Sequence, residues 1–518
     1  MKKQVHIEIM DTTLRDGEQT SGVTFVPHEK LFIARQLLEE VHVDRIEVGS
    51  ARVSEGEAQA VKMICDWAAQ HDMLERIEVL GFVDNGYSVD WIHDVGGQVI
   101  NLLCKGSRKH CEGQLNKTLE QHIEDIKSTI IYAHSRSLTV NLYLEDWSNG
   151  MKDDPEYVYV LVDSLLNMGI KRFMLPDTLG VLNPLEVINY VRQMKKRFPD
   201  LHFDFHAHND YDLAVSNVLA AVLSRVSGLH TTINGLGERA GNAPLASVQA
   251  ILKDHFQAHT NIVEEKLNDV SRIVESYSGI RIPANKPIVG KNVFTQVAGV
   301  HADGDNKNNL YCNDLAPERF GRQREYALGK MSGRANIRKN LEAMGYDNLS
   351  DEAMKELTER IIQLGDRKKA VTPDDLPYLI SDVLKHEYEE EKVKLLHYFV
   401  TLAQGLKPVA TLKLLVDDVE YEASASGAGQ YDAFMHALKH VYHKVLHRDF
   451  PTLLDYEVTI PPGGRTQAMV QTVIKWEYHG RIFSTRGLDA DQTEAAILAT
   501  VKMLNIIEQE AFLPKADS

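Results

Sequence analysis

Two short segments of this 518-residue chain carry side chains able to hold a cation and polarise a carbonyl group. In DTTLRDGEQ (residues 11–19), Arg15 and Asp16 are adjacent and Glu18 follows. In HAHND (residues 206–210), His206 and His208 stand two apart, a spacing that turns both imidazoles to one face of a β-strand. Imidazole binds Zn, Mn or Fe readily, and carboxylate and amide oxygens suit harder ions. With Asp16 opposite and Asn242 in the loop GLGERAGN (residues 235–242), a site of two nitrogens and two oxygens with open positions becomes possible. Such a site acts as a Lewis acid on a carbonyl. An isolated H-x-H also describes core or surface histidines, and acidic residues after a strand can simply complement a helix N-terminus. That blander reading accounts for Asp16 and Glu18 but leaves Arg15 beside them unexplained.

These residues need elements that converge. Short apolar runs alternate with amphipathic ones over residues 1–275. The runs predict strands at His6–Asp11, Arg45–Ser50, Ile77–Phe82, Val99–Cys104, Thr139–Glu145, Arg172–Asp177, His202–His208 and His230–Gly235. Helices are expected between them, among others at Pro27–Leu38, Glu55–Gln70, Glu156–Asn167 and Pro184–Arg197. Eight βα units over a span near the usual ~250 residues predict an α/β fold with an N-terminal (β/α)8 TIM barrel, and a doubly wound open sheet is the alternative. In a barrel the loops after the strands form the active face. Glu145, Asp177, Thr178, Glu238 and Arg239 fall there, as do the apolar ends Leu80, Leu103 and Tyr143. Large apolar side chains beside a cation leave room for a small substrate only, although ordinary barrel packing would look the same.

Residues 276–395 break the alternation with Pro283, Pro287, Gly299 and Gly304, then predict helices at Gly333–Met344 and Asp351–Leu364. The charged run EYEEEKVK (387–394) reads as a solvated helix or connector. Residues 396–518 hold a near-repeat, Val409–Val441 and Met469–Leu504, each β-β-turn-α. This predicts a pseudo-twofold α+β domain, either a dimerisation module or an effector-binding one with a crevice near the Gly-rich turn Pro461–Gly464.

A formal net charge of −17 argues against nucleic acid or anionic membranes as partners. The N-terminal segment has no apolar signal-peptide core, and no uninterrupted apolar run reaches the ~18 residues of a membrane span. The four cysteines, Cys65, Cys104, Cys111 and Cys312, form neither a C-x-x-C pair nor a disulfide framework. A cytoplasmic protein is expected.

DTTLRDGEQ, H-x-H-N-D, NGLGERAGN and the later GVHADG (299–304) together resemble the DRE-TIM metallolyase family. More narrowly they are similar to its Claisen-condensing branch of isopropylmalate, homocitrate and citramalate synthases, along essentially the whole chain. The resemblance implies a catalytic barrel (1–275), linker subdomains that contribute to the acetyl-CoA site (276–395) and a regulatory C-terminal domain (396–518). It implies a divalent metal (Zn, Mn or Mg) on Asp16, His206, His208 and Asn242, with acetyl-CoA as co-substrate. Arg15 would stabilise the developing alkoxide, Thr178 would bind the substrate carboxylate, and Glu145 with His301 would be the base pair. Asp303, Asn309, Leu310 and Tyr311 would line the acetyl-CoA side, reaching the active site of the partner subunit in a homodimer or higher homo-oligomer. Leu80, Leu103, Tyr143 and the segments YLEDWSNG and HADGDNKNNLY are more similar to the citramalate type. That type implies pyruvate as the 2-oxo acid and isoleucine as feedback effector. The alternative is 3-methyl-2-oxobutanoate, with 2-isopropylmalate as product and leucine as effector. Bond-cleaving relatives, such as hydroxymethylglutaryl-CoA lyases and aldolases, lack the repeated C-terminal domain. A purely amino-acid-sensing protein would have no need of Arg15, Glu145, His206 and His208.

Overall fold

Eight parallel strands close into a barrel in chain order: β1 (Glu8–Asp11), β2 (Arg45–Ser50), β3 (Ile77–Phe82), β4 (Val99–Lys105), β5 (Thr139–Glu145), β6 (Arg172–Asp177), β7 (Phe203–Ala207) and β8 (Gly228–Thr231). The computed structural model describes residues 6–256, 258–297, 310, 312–343, 350–366, 376, 392–401, 404–459 and 470–508. The chain divides into two compact units, residues 1–295 with 309–325, and residues 296–308 with 326–518.

In the first unit β8 pairs back onto β1, Ile9 opposite Leu229, and this closes the barrel. Helices follow the strands, and several start where a side chain can cap them. Ser54 accepts from the Glu57 N–H ahead of Glu55–Gln70, Thr118 from Gln121 ahead of Leu119–Ser135, and Asn183 from Leu185 and Glu186 ahead of Pro184–Arg197. One face of each strand buries Ile, Val, Leu and Phe against these helices, as with Ile46 and Val48, Ile100 and Leu102, Phe203 and Phe205. The opposite face points into the barrel and is largely ionic.

Arg45 from β2 crosses to Asp204 of β7 (2.7 Å) and also meets Glu78 (2.8 Å) and Glu8 (3.2 Å). Arg172 binds the same Glu8 at 2.9 Å. Arg45, Glu78 and Asp204 are out of water, so each survives only through its partners, and Glu8 is half-buried at the edge of the network. Nearer the mouth lies a small apolar cluster of Met10, Leu80, Tyr143 and Met174, with Phe82 and Leu103 against it.

The first strand starts two residues later than expected, at Glu8, the fourth runs one residue further, to Lys105, and the last two differ more. The eighth lies at Gly228–Thr231 instead of His230–Gly235, because Ile233–Gly235 curl into a 3-10 turn with Asn234 at φ 58°. The seventh stops at Ala207, so His208 begins the following loop.

In the second unit, Val393–Val400, Val409–Val416 and Val419–Ser426 form an antiparallel sheet ahead of the helix Gln430–Lys439. Thr452–Thr459, Val470–Tyr478 and Arg481–Asp489 form a second sheet ahead of Gln492–Ile507. Each copy of the repeat therefore has one strand more than its sequence pattern predicts. Val393–Val400 is mostly exposed or half-buried and shows no clean alternation, so its period is weak. Leu412, Leu414, Phe434 and Leu438 share one core with Ile474, Trp476, Met503 and Leu504. Arg334–Ala343 and Asp351–Asp366 confirm the two linker helices and meet through Ile337, Leu341, Leu357 and Ile361. Of the charged run at 387–394, Val393 and Lys394 open a strand, and 387–391 lie outside the described residues. Among the described residues no helix is long and apolar enough to cross a membrane.

One close approach ties the fold to the mouth of the barrel. A Cβ on Gly150, in the helix Trp147–Asp153, would sit 2.1 Å from the carbonyl oxygen of Gly106. Backbone cannot yield as a side chain does, so Gly150→Ala is expected to destabilise the barrel by about 1–3 kcal/mol. A lower thermal midpoint checks this, and an unchanged midpoint would show that the two loops separate freely.

Candidate active site

The loop after β1 is a tight knot in which the Thr12 carbonyl accepts from the N–H groups of Arg15 (3.2 Å), Asp16 (2.9 Å) and Gly17 (3.0 Å). It delivers the Arg15 and Asp16 side chains into the barrel mouth, both shielded from solvent. The strand β7 presents His206, and His208 continues on the same side. The loop after β8 folds back on this end, with Asn209 N–H donating to Gly241 O (2.9 Å) and Ala243 N–H to Ala207 O (3.3 Å). His208 and Asn242 thereby become bridge partners. Gly237 permits this, since a Cβ there would lie 2.1 Å from Asn242 Nδ2.

Asp16, His206 and His208 are the one group of His, Cys, Asp or Glu among the described residues with ligand atoms close enough to share a cation. His206 Nε2 lies 3.2 Å from His208 Nε2 and 3.4 Å from Asp16 Oδ2, and His208 Nε2 is 3.8 Å from the same oxygen. Metal–ligand bonds of about 2.0–2.1 Å place neighbouring donor atoms roughly 3.0–3.4 Å apart, so the two spacings at His206 fit a shared ion and the one from His208 to Asp16 is a few tenths of an ångström wider. The chemistry of the donors fits as well. Burial lowers the pKa of both imidazoles, that of His208 to about 4, which leaves them neutral with lone pairs to offer. Burial alone would raise the Asp16 carboxyl, but the Arg15 guanidinium beside it holds it well below the ordinary carboxylate range. Asn242 meets Asp16 Oδ1 through its amide nitrogen (3.1 Å), and its carbonyl oxygen is buried without a hydrogen-bond partner.

Arg15 is pinned by three groups: Asp16 Oδ2 (3.0 Å), Glu47 Oε2 (2.6 Å) and the Tyr143 hydroxyl (3.4 Å). Burial weakens its charge, but Glu47 and Asp16 more than restore it. Leu80, Leu103 and Tyr143 come together in the apolar cluster with Met10 and Met174, and Tyr143 links that cluster to Arg15.

Glu145 at the end of β5 is ion-paired with Lys105 of β4, directly opposite in register, and stays partly open to solvent. The Thr178 hydroxyl accepts the N–H of Asp146 at 2.8 Å. Asp177 accepts from the N–H groups of Val181 and Leu182, and Glu18 pairs with Lys30, so both acids shape loops. Arg239 binds Asp210 and the Thr178 carbonyl. His301, Asp303, Asn309 and Tyr311 lie outside the described residues, and Leu310 is exposed.

Several residues that build the site carry no motif. Glu47 is fully buried and receives Thr12, Arg15 and Asn101. Lys105 partners Glu145, and His230 of β8 touches Tyr143. Strand alternation was the available signal, since charged residues at every second strand position can only face a polar interior.

Residues 6–274 match the HMGL-like family. The chain belongs to the HMGL-like family. Beyond that segment of this HMGL-like enzyme, residues 288–369 match the homocitrate synthase post-HMGL domain-like family. Residues 370–508 match the LeuA allosteric (dimerisation) domain. The (R)-citramalate synthase CimA of Methanocaldococcus jannaschii is 34% identical over 503 residues, covering 97% of this chain and 99% of its own. The 2-isopropylmalate synthase of the same organism is 31% identical over 505 residues, covering 97% and 94%. The HMGL-like chain is accordingly an acyl-transferring condensing enzyme.

Asp16→Ala and His206→Ala are each expected to weaken divalent-cation binding by roughly 100-fold or more, measured by equilibrium dialysis with elemental analysis. Undiminished binding in both variants would place the ion elsewhere.

Proposed function

We propose that this enzyme condenses acetyl-CoA with pyruvate, giving (R)-citramalate and CoA. The reading rests above all on Arg15 and the Asp16–His206–His208 triad lying at one end of a tight apolar cluster of Met10, Leu80, Tyr143 and Met174. It is supported by likeness to a citramalate synthase along nearly the whole chain.

In the reaction a methyl proton leaves acetyl-CoA, and the methyl carbon bonds to C2 of the 2-oxo acid. The keto oxygen gains a proton to become a hydroxyl, and water cleaves the thioester to a carboxylate and the CoA thiol. A divalent cation held by Asp16, His206 and His208, with Asn242, would make the keto carbon more electrophilic. Arg15, held charged by Glu47 and Asp16, donates N–H toward the oxygen on which negative charge develops. Glu145, ion-paired with Lys105, accepts the methyl proton in concert with His301. The Thr178 oxygen is occupied by the Asp146 N–H, so its own proton is available to the substrate carboxylate. Leu80, Leu103 and Tyr143 leave room for a methyl group. Asp303, Asn309, Leu310 and Tyr311 serve the acetyl-CoA side, supplied from the partner subunit of a cytoplasmic dimer. The LeuA-like segment takes isoleucine as feedback effector.

A thiol-release assay tests this through kcat/KM for pyruvate against 3-methyl-2-oxobutanoate, with pyruvate preferred by about tenfold or more. Preference for the branched acid would instead make the enzyme a 2-isopropylmalate synthase. Leu80→Ala is expected to move the ratio toward the branched acid, and an unmoved ratio would remove that side chain from acceptor selection.

A further inference from the structure

Beneath the apolar cluster, the Tyr143 hydroxyl ends a chain of buried polar groups that none of the roles above uses. His230 is fully buried, with Nδ1 3.0 Å from the Tyr143 hydroxyl and Nε2 3.2 Å from Asp204 Oδ2. Its ring stands edge-on to Tyr143, at 79° and 5.5 Å between centroids. Asp204 is fully buried too, receiving Arg45 NH2 on Oδ2 at 2.7 Å and facing His202 Nε2 from Oδ1 at 2.8 Å.

A carboxylate against a guanidinium only accepts hydrogen bonds. The nitrogen that faces this oxygen, Nε2 of His230, must therefore be the one that carries a proton, because the other tautomer would set a bare nitrogen against the carboxylate oxygen. With Nε2 committed to Asp204, Nδ1 serves as the acceptor, and among the described residues the donor it faces is the Tyr143 O–H. The phenol proton is thus drawn toward His230, and a lone pair of the phenol oxygen is turned to Arg15 NH2, 3.4 Å away.

We propose that Asp204 and His230 are positioning residues for Tyr143: they fix the imidazole tautomer that orients the phenol, and through it the guanidinium of Arg15. The same pair fixes the plane of the Tyr143 ring, and with it one wall of the acceptor pocket. The consequence for catalysis rests on the condensing activity proposed above, and the tautomer itself does not.

The test is a double-mutant cycle on the full-length enzyme joined to a spectroscopic measurement. Tyr143→Phe and His230→Leu are each expected to lower kcat/KM for pyruvate by about tenfold, the scale of one oriented buried hydrogen bond, with the loss mainly in kcat. The double variant is expected to be no worse than Tyr143→Phe alone, since His230 acts through that hydroxyl. His230→Gln, whose amide can accept from Tyr143 and donate to Asp204, is expected to recover most of the loss. Independent, multiplying losses in the double variant, or unchanged kinetics in His230→Leu, would overturn the proposal. Should the leucine variant not fold, the glutamine variant and a 15N–1H correlation of the histidine-labelled wild-type enzyme still decide it. The correlation is expected to show one imidazole protonated on Nε2 whose Nδ1 signal moves in Tyr143→Phe. An Nδ1–H imidazole at that position overturns the proposal even if no 2-oxo acid supports CoA release, an outcome that would sink only the proposed activity.

Discussion

A guanidinium taken out of water is tolerated when neighbouring groups satisfy its charge and its N–H donors together. Arg15 meets that condition through Glu47, Asp16 and Tyr143, and each partner is itself held by something else. Glu47 is fixed by Thr12 and Asn101, and Asp16 by Asn242 and the two histidines. The loops after β1 and β8 and the strand β7 therefore answer to a single buried charge. Removing Arg15 would leave the Asp16 and Glu47 carboxylates without their cation in a low-dielectric interior, which costs more than the lost contacts alone. This interdependence explains why the mouth of the barrel is built from short hydrogen-bonded turns. Floppier loops could not hold so many partners at contact distance.

The same logic separates the two kinds of group at the mouth. Asp16, His206 and His208 are buried and committed to one another, as suits residues that must present a fixed array of donor atoms. Glu145 is partly open to solvent and tied by a single lysine, so it can be reached from outside the barrel. Rigidity and access are divided between neighbouring strand ends.

Much of this was legible in the sequence because strand ends, an H-x-H pair and a glycine-rich loop leave local marks. The eight strands were readable from apolar periodicity, since their outward faces pack on helices through Ile, Val and Leu. The inward faces were not recognised as a network, because Glu47, Lys105, Asp204 and His230 are scattered singly through the chain and acquire meaning only when the barrel closes. Strand β8 was misplaced for a related reason. The apolar residues after Thr231 belong to a turn, and its left-handed residues, Asn234 and Gly235, leave no trace in hydrophobic pattern. Val393–Val400 escaped because an exposed strand lacks the alternation that betrays a half-buried one.

Many barrels of this architecture fill their interior with aliphatic side chains, and here the layer beneath Leu80 and Tyr143 is occupied by Arg45, Glu78, Asp204 and His230. That ionic floor limits how the enzyme can diverge. A cavity deepened toward it would strand an unmatched charge, so accommodation of a bulkier guest has to come sideways, from the few apolar residues around the rim. Evolution and engineering alike are left with an adjustable apolar rim above a fixed layer of charge.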